Sequence, residues 1–460
     1  MKIRVRLLSW LLGIVLPALY CFATEPTPVP GTDSPSVDAG LEQQETPDEE
    51  NAPPPETDSS NSEYWSLEEL LSFAESNNPT LSEAAAWVDI ALGNQTQVGL
   101  YPNPILYYNG ANITKSMAGQ QGGLVEQTIM LGGKLKLNRA VAAQTVNQAT
   151  WLQQQQIYRV TNAVRLRYYE ILGAQRRIEL TGTLVKLAEK GADVTRKLQQ
   201  SGEGTLTDVL QAEIEVGQAE ILLNNARNEY DGSWGQLSAV LGSPGMQPVN
   251  ITGTLDEEVP TFEWNETYGW LLGNSPEIMV AQTAISRAEF AIRRAQVEPI
   301  PNLNFQAWVQ RDTQVNQNIM QFQVGVPTPL WNRNQGGKYS AFAEYRRAVA
   351  ASEQVELSLK DRLAVAYRRY RNASQQVANY REKILPRAKR SLELIREGYQ
   401  RGELNFLQVL VAQRTYFQTS LAYIDSLTEL WKSTATISGM LLTEDSEAST
   451  VPTSNTPLGL

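Results

Sequence analysis

The sequence predicts a mainly α-helical protein with a membrane β-barrel, in which long antiparallel coiled coils form an α-barrel and each chain adds four β-strands. The 460 residues carry one pattern twice: a helical segment, two strands and a long helical hairpin. The strand segments alternate apolar and polar residues, as strands between lipid and water do. Beyond the N-terminus, no segment has the roughly 20 consecutive apolar residues of a membrane-spanning helix. Any membrane span is therefore expected to be β.

The first 23 residues have the features of a secretory signal peptide. Basic residues precede an apolar run, and Ala23 is a small residue of the kind preferred at the cleavage site. Cleavage after Ala23 would leave a mature chain without cysteine. The alternative is a lipoprotein signal in which Cys21 is acylated and serves as a lipid anchor, although such signals have a small residue where this chain has Tyr20.

Residues 24–63 are predicted to be a disordered, acidic, proline-rich linker. They hold eight prolines and eleven Asp or Glu but no Lys or Arg, so they cannot bury enough apolar surface to offset the entropy of ordering. Because this linker accounts for most of the net charge of −11, the body is nearly neutral and its charge indicates neither an acidic nor a basic partner. No nucleic-acid partner is expected. Residues 443–460 are predicted to be a disordered C-terminal tail.

The body consists of two repeats, predicted at residues 64–250 and 251–442. Short motifs recur in the same order in both. Asn77-Asn78-Pro79 returns as Asn274-Ser275-Pro276, Gly132-Gly133-Lys134 as Gly336-Gly337-Lys338, and Ser201-Gly202-Glu203 as Arg401-Gly402-Glu403. The two halves are therefore expected to share one fold.

Each repeat begins with a helical pattern, Trp65 to about Leu100 and about Thr267 to Val297, that ends at a Pro-x-Pro. Proline removes an amide donor and forces its predecessor into an extended conformation, so strands are expected next. In the second repeat, residues 303–309 and 320–326 alternate apolar residues with Asn and Gln. The first repeat is less regular. An ordinary antiparallel hairpin on a soluble domain remains the alternative for either one.

The glycines Gly132, Gly133, Gly336 and Gly337 are predicted to be flexible strand-to-helix joints. They are not phosphate loops, because each Gly-Lys lacks the glycine five positions earlier and the following Ser or Thr. Long helices are predicted at about 134–200 and 338–400. A turn and a returning helix follow each one, with apolar residues stepping by three and four, which predicts antiparallel coiled-coil hairpins.

Four strands cannot close a barrel without unpaired edges in lipid, so closure requires further copies of the chain. Two copies would supply 8 strands and three would supply 12, and about 12 strands leave room for a channel, whereas about 8 fill with side chains. Helices of about 65 residues would reach about 100 Å, beyond any bilayer. They are expected to project into the periplasm.

This ordered set of elements, across residues 64–442, resembles the TolC-like outer-membrane efflux proteins. The segment Glu126–Lys134, followed by Arg139, looks most like the CzcC-like branch that serves cation and heavy-metal pumps. The resemblance implies a homotrimer with a 12-stranded barrel in outer-membrane lipid and a tapering tunnel in the periplasm. It also implies a partly closed end that a periplasmic adaptor (membrane fusion protein) and an inner-membrane transporter open.

The resemblance places a channel aperture at the two helical turns. Asp208 matches the carboxylate that narrows the tunnel in the family, and Tyr399 matches a tyrosine of the closing network. Gln408 stands at the second carboxylate position and Leu404 at an expected arginine, so only half of the network is carried over. Three copies of Asp208 would form an anionic ring that favours cations. The alternative is that Asp208 only caps its helix.

No enzyme is predicted. The chain has no histidine and one cysteine, which removes the usual general base and the commonest metal ligand, and no catalytic, cofactor or metal residues are assigned. One alternative is a periplasmic or surface coiled-coil structural protein without channel activity, which would have no reason to expose an apolar strand face. A soluble periplasmic adaptor would have one helical hairpin rather than two. The transported substrate and the type of pump stay open.

Overall fold

The computed structural model describes residues 64–113 and 119–443. The predicted signal peptide, Cys21, the acidic linker and residues 444–460 of the predicted tail lie outside these ranges. Within them, no helix combines the length and the apolar character required to cross a membrane.

Each repeat opens with two short helices rather than one. These are α1 (Leu67–Asn77) and α2 (Pro79–Gln97) in the first repeat, and α5 (Trp264–Asn274) and α6 (Pro276–Val297) in the second. Asn78 and Ser275 separate them with extended ψ angles of 117° and 124°. The predicted continuous helical segments are therefore wrong at these two points, because a residue before proline avoids the helical conformation.

Four strands have the bounds β2 (Ile105–Ala111), β3 (Gln120–Ile129), β5 (Leu303–Asp312) and β6 (Gln317–Gly325). They form one antiparallel sheet in the order β2-β3-β5-β6. Strands β3 and β5 pair, so the two predicted hairpins are joined edge to edge. A separate two-stranded parallel pairing links β1 (Tyr64–Trp65) to β4 (Asn250–Ile251), and the predicted repeat boundary at 250/251 therefore falls inside β4.

The strand register gives the sheet one apolar and one polar face. One row across the four strands consists of Leu106, Val125, Ala307 and Phe322, and the next row consists of Ile105, Glu126, Gln306 and Gln323. Directly paired residues lie on the same face and neighbouring rows lie on opposite faces. The alternation predicted in the second repeat is confirmed. The register also places the less regular first hairpin on the same two faces.

Two long helical hairpins follow the strands. Helix α3 (Lys134–Ser201) has 68 residues and returns as α4 (Leu206–Val240). In the second repeat, α7 (Gln335–Asn379) passes through a π-helical turn (Tyr380–Ile384) into α8 (Leu385–Gln400), which returns as α9 (Phe406–Ser438). Pro386 explains this interruption, because it has no amide to donate to the preceding turn. The two predicted antiparallel hairpins are confirmed.

The main core lies where the short helices α1 and α5 pack against the middle of α3 and α7. Its fully buried side chains include Leu70, Val164, Ile171, Leu237, Leu271, Leu359 and Ile437. Toward the hairpin turns, the core thins to small clusters rich in alanine, such as Ala192 and Ala212 around Phe406. These small residues let the helices approach closely. The hairpins are thus firmly packed near α1 and α5 and lightly packed toward their turns.

The helices flanking the sheet repeat its order. Helix α3 packs between α2 and α6, and α7 packs on α6. This gives the order α2-α3-α6-α7 beside β2-β3-β5-β6. Within residues 64–113 and 119–443, these layers therefore have two open edges, one formed by β2 with α2 and the other by β6 with α7.

Candidate functional site

The two long hairpins end in turns with the same backbone. Gly202 and Gly402 adopt left-handed φ angles of 81° and 74°. This conformation suits glycine at the end of a helix. The amide of Glu203 donates to the carbonyl of Leu198 at 2.9 Å, and the amide of Glu403 donates to that of Gly398 at 2.9 Å. Each turn therefore satisfies carbonyls at the end of its helix and holds the reversal in place.

Asp208 and Gln408 occupy equivalent capping positions. The carboxylate of Asp208 accepts hydrogen bonds from the Thr205 amide (3.3 Å) and hydroxyl (2.7 Å), and the Thr205 hydroxyl oxygen accepts from the Asp208 amide (3.1 Å). In the second turn, the Asn405 amide donates to Gln408 Oε1 at 3.1 Å, and the Gln408 amide donates to Asn405 Oδ1 at 3.0 Å. Asp208 thus belongs to the capping box of α4. The two bonds it accepts engage Oδ2, which leaves its charge at the turn.

Tyr399 lies in the contact between the two hairpins. Its ring is 6.0 Å from that of Phe406, and both pack on Ala192 and Ala212 of the first hairpin. Burial raises the pKa of Tyr399, and the nearby Asp208 carboxylate raises it further. Because Tyr399 packs on Ala212, about one turn along α4 from Asp208, the two predicted residues lie at the same end of the hairpins. Gln408 is exposed and lines a separate apolar groove with Leu407 and other residues of α8 and α9.

Leu404 stands at the position of the expected arginine. Its side chain fills the space beside Gly398, and Leu198 fills the equivalent space in the first turn. An ideal Cβ on Gly398 would lie 2.7 Å from Leu404 Cδ1. In the first repeat, the equivalent positions hold the reverse pair, Leu198 and Gly204, and a Cβ on Gly204 would lie 3.1 Å from Leu198 Cβ. Each turn therefore has room for one leucine only, and the two repeats place it on opposite sides.

Gly398→Leu is expected to destabilise the second turn by about 1–2 kcal/mol, since overpacking displaces Leu404. Adding Leu404→Gly should recover most of the loss, because the double variant has the residue pair of the first turn. Thermal melts followed by circular dichroism in detergent would compare the three proteins. A double variant no more stable than the single one would show that the two positions do not share this space.

Three arginines join helices of the two hairpins. Arg414 of α9 donates to Glu215 (2.8 Å) and Gln218 (2.9 Å) of α4. Arg196 pairs with Glu213 at 3.0 Å, and Arg177 of α3 pairs with both Glu229 and Asp425. The sequence interpretation missed these links. The repeat offset contained a signal, because Arg414 stands where the first repeat has Ile214.

The predicted joints lie at the opposite end of the long helices. Gly132 and Gly133 have φ angles of 72° and 67°, and Gly133 precedes the first residue of α3. In the second repeat the prediction is displaced. Gly336 and Gly337 belong to the first turn of α7, and the left-handed residue is Asn334 at φ 56°. Asparagine tolerates this conformation, and Gly337 leaves space for the Asn334 side chain, whose Oδ1 would be 2.1 Å from a Cβ there.

A profile of the family described as outer membrane efflux protein matches residues 70–243 and 267–441. The cobalt-zinc-cadmium resistance protein CzcC of Cupriavidus metallidurans is 27% identical over 82% of this chain and 89% of its own length. The cation efflux system protein CusC of Escherichia coli K12 is 23% identical over 48% of both chains. The open-state MtrE outer membrane channel of Neisseria gonorrhoeae superposes with a TM-score of 0.69 at 17% identity, over 83% of this chain and 90% of MtrE.

Proposed function

Since the chain belongs to the outer membrane efflux protein family and is an outer-membrane efflux channel, we propose that it is the exit duct of a tripartite pump. It would receive substrate from a periplasmic adaptor and an inner-membrane transporter and pass it to the exterior. The observation that supports this most is the sheet, whose apolar face is exposed and whose opposite face is rich in glutamine. A structural coiled-coil protein would leave that exposed apolar face unexplained.

A homotrimer is the assembly that these two open edges support. One edge consists of β2 with α2 and the other of β6 with α7, so each edge offers a strand and a helix. Joining β6 and α7 of one copy to β2 and α2 of the next would continue both layers together. Three copies would give a barrel of about 12 strands with room for a channel, and closure removes unpaired strand edges from lipid.

The cargo we propose is a cation, and a heavy-metal ion in particular. CzcC and CusC carry cobalt-zinc-cadmium resistance and cation efflux in their names. The register adds physical support. Among the four strands, the charged residues of the polar face are Glu126 and Asp312, while Arg311 lies on the apolar face. In a closed ring, these carboxylates would attract cations and repel anions along the barrel.

The hairpin ends would form the channel aperture. Three copies of Asp208 would surround the tunnel mouth, and Tyr399 with the Arg414–Glu215 link would hold the two hairpins of each copy together. The core at these ends is thin, so a few polar contacts decide whether the ends stay together. An adaptor that separated the hairpins would open the aperture.

Single-channel recordings of detergent-purified protein in planar bilayers test both duct and aperture. Asp208→Ala should increase conductance and reduce cation preference, because it removes the carboxylate ring. Gln408→Ala is the matched control, because it removes the equivalent capping side chain of the second turn without removing a charge. It should leave selectivity unchanged. Equal selectivity in the wild type and Asp208→Ala would reject the aperture assignment, and a folded protein that does not insert into lipid would reject the duct.

A further inference from the structure

The two strand-to-helix connections of the repeats differ in length. Four residues, 130–133, separate β3 from α3, whereas nine residues, 326–334, separate β6 from α7. The first connection leads directly into packed structure, because Lys134 is only 4% exposed and its Nζ donates to Asn302 Oδ1 at 3.1 Å. The second connection contacts α6 at its end, where the Asn334 side-chain amide donates to the Ala295 carbonyl at 2.9 Å, but its residues Leu330 and Trp331 are exposed. The shorter connection of the first repeat therefore serves as the comparison for the five additional residues of the second.

The longer connection presents apolar side chains to its surroundings. Trp331 is 87% exposed and Leu330 is 61% exposed. Val326 is also exposed and continues the alternation of Phe322 and Val324 along the apolar face of the sheet. The exposed patch is therefore continuous with the proposed lipid-facing surface.

The connection is an ordered turn. The amide of Leu330 donates to the Thr328 carbonyl at 2.9 Å, and the side-chain amide of Gln335 donates to the Trp331 carbonyl at 3.0 Å. The amide of Asn334 donates to the Asn332 side chain at 3.0 Å. Two prolines, at 327 and 329, stiffen the segment further. These bonds therefore give the segment around Trp331 a defined turn.

Two cations follow the aromatic tip. Arg333 and Lys338 are exposed, and neither forms an ion pair with any residue in the ranges 64–113 and 119–443. A tryptophan beside unpaired basic residues matches the chemistry of a membrane–water interface. The indole ring favours the headgroup level, and Arg and Lys attract lipid phosphates.

We propose that residues 326–338 form a membrane-interface anchor. Leu330 and Trp331 insert among the phospholipid headgroups of the periplasmic leaflet, and Arg333 and Lys338 bind the lipid phosphates. The anchor rests on the proposed function, because only a barrel in the outer membrane brings the sheet-to-helix connections to that leaflet. It would set the depth of the barrel and limit its tilt.

Spin labels on single cysteines test the anchor in vesicles of phosphatidylethanolamine and phosphatidylglycerol. Cys21 is the only cysteine of the chain, and it is either removed or acylated on both interpretations of the N-terminus, so an introduced cysteine is labelled alone. Leu330→Cys reports the anchor with Trp331 intact. Met320→Cys, on the apolar face, is the lipid reference, and Gln247→Cys, in the exposed connection after α4, is the aqueous reference.

The ratio of collisions with oxygen to collisions with a water-soluble nickel chelate should rank Met320 highest, Leu330 between, and Gln247 lowest. Trp331→Gln should shift the Leu330 label toward the aqueous reference. The collision ratio of the Leu330 label should rise with the fraction of phosphatidylglycerol, because the anionic phosphates attract Arg333 and Lys338. Replacing these two residues together by glutamine should abolish this rise.

A Leu330 label equal to the Gln247 label, with Met320 in lipid, would overturn the anchor and leave the duct intact. A Leu330 label that neither reagent reaches would assign the segment to a contact between copies and would also overturn it. A Met320 label in water would instead reject the membrane barrel itself, so the two failures are distinguishable.

Discussion

Lysine in place of Phe322 is expected to prevent assembly in the outer membrane, whereas lysine in place of the adjacent Gln323 is tolerated. Phe322 is 78% exposed on the apolar face of β6. A lysine facing lipid near the middle of the bilayer costs about 2–4 kcal/mol per chain. Gln323 lies in the row of Glu126 on the opposite face. A lysine there would face water, in a row that holds Glu126 two strands away.

Cell fractionation and electrophoresis of unheated samples would measure the amount of assembled oligomer for both variants. Because the two positions are consecutive in one strand, the pair controls for expression, strand propensity and the introduced charge. Equal loss in both variants would mean that the sheet does not have one face in lipid and one in water. Equal tolerance would point to an aqueous environment on both faces.

Periodicity made most of the architecture predictable. Steps of three and four in the returning helices and alternation in β5 and β6 depend on which face of an element is buried, so they are present in a single sequence. The repeat strengthened the prediction, since each element occurred twice. The strand β3 shows the limit, because its glycines and glutamines carry little apolar signal and its faces emerged only from pairing with β5.

Local breaks and cross-helix contacts leave no trace in periodicity, although the prolines at 79, 276 and 386 marked where the breaks lie. The helix breaks at Asn78 and Ser275 depend on one backbone angle, and the π-helical turn before Pro386 preserves the overall helical direction. The approach of Asp208 to Tyr399 joins residues of different hairpins. No periodic pattern records such a contact, and the family resemblance alone suggested that both belong to one aperture.

The largest loss of stability is expected at Asn162, which lies in α3 and is 0% exposed. Its side-chain amide donates to the carbonyls of Gly439 (2.8 Å) and Leu442 (2.7 Å), at the end of α9. The chain between these carbonyls turns through two left-handed residues, Met440 and Leu441. Asn162 therefore holds a strained reversal against the core.

Asn162→Leu would keep the volume close to the original and remove both donors. The Leu442 carbonyl would lose its donor, which costs about 1–3 kcal/mol, whereas the Gly439 carbonyl would keep the hydrogen bond from the Leu442 amide at 3.2 Å and lose about 1 kcal/mol. A total loss of about 2–4 kcal/mol is therefore expected. Gly439→Ala should act at the same place, since a Cβ there would lie 1.7 Å from Asn162 Oδ1. Thermal melts of detergent-purified protein, followed by helix content, measure both effects.

Thr434→Val is the matched control for removing a buried polar group from the same region. Thr434 is buried in α9, and its hydroxyl has no hydrogen-bond partner in the described part of the chain. Its replacement should therefore leave the melting midpoint unchanged or raise it slightly. A similar loss for Thr434→Val and Asn162→Leu would mean that packing, rather than the two hydrogen bonds, holds the end of α9. If the bonds hold it, channels that still assemble from Asn162→Leu should conduct normally, because the change lies far along α3 from the aperture residues.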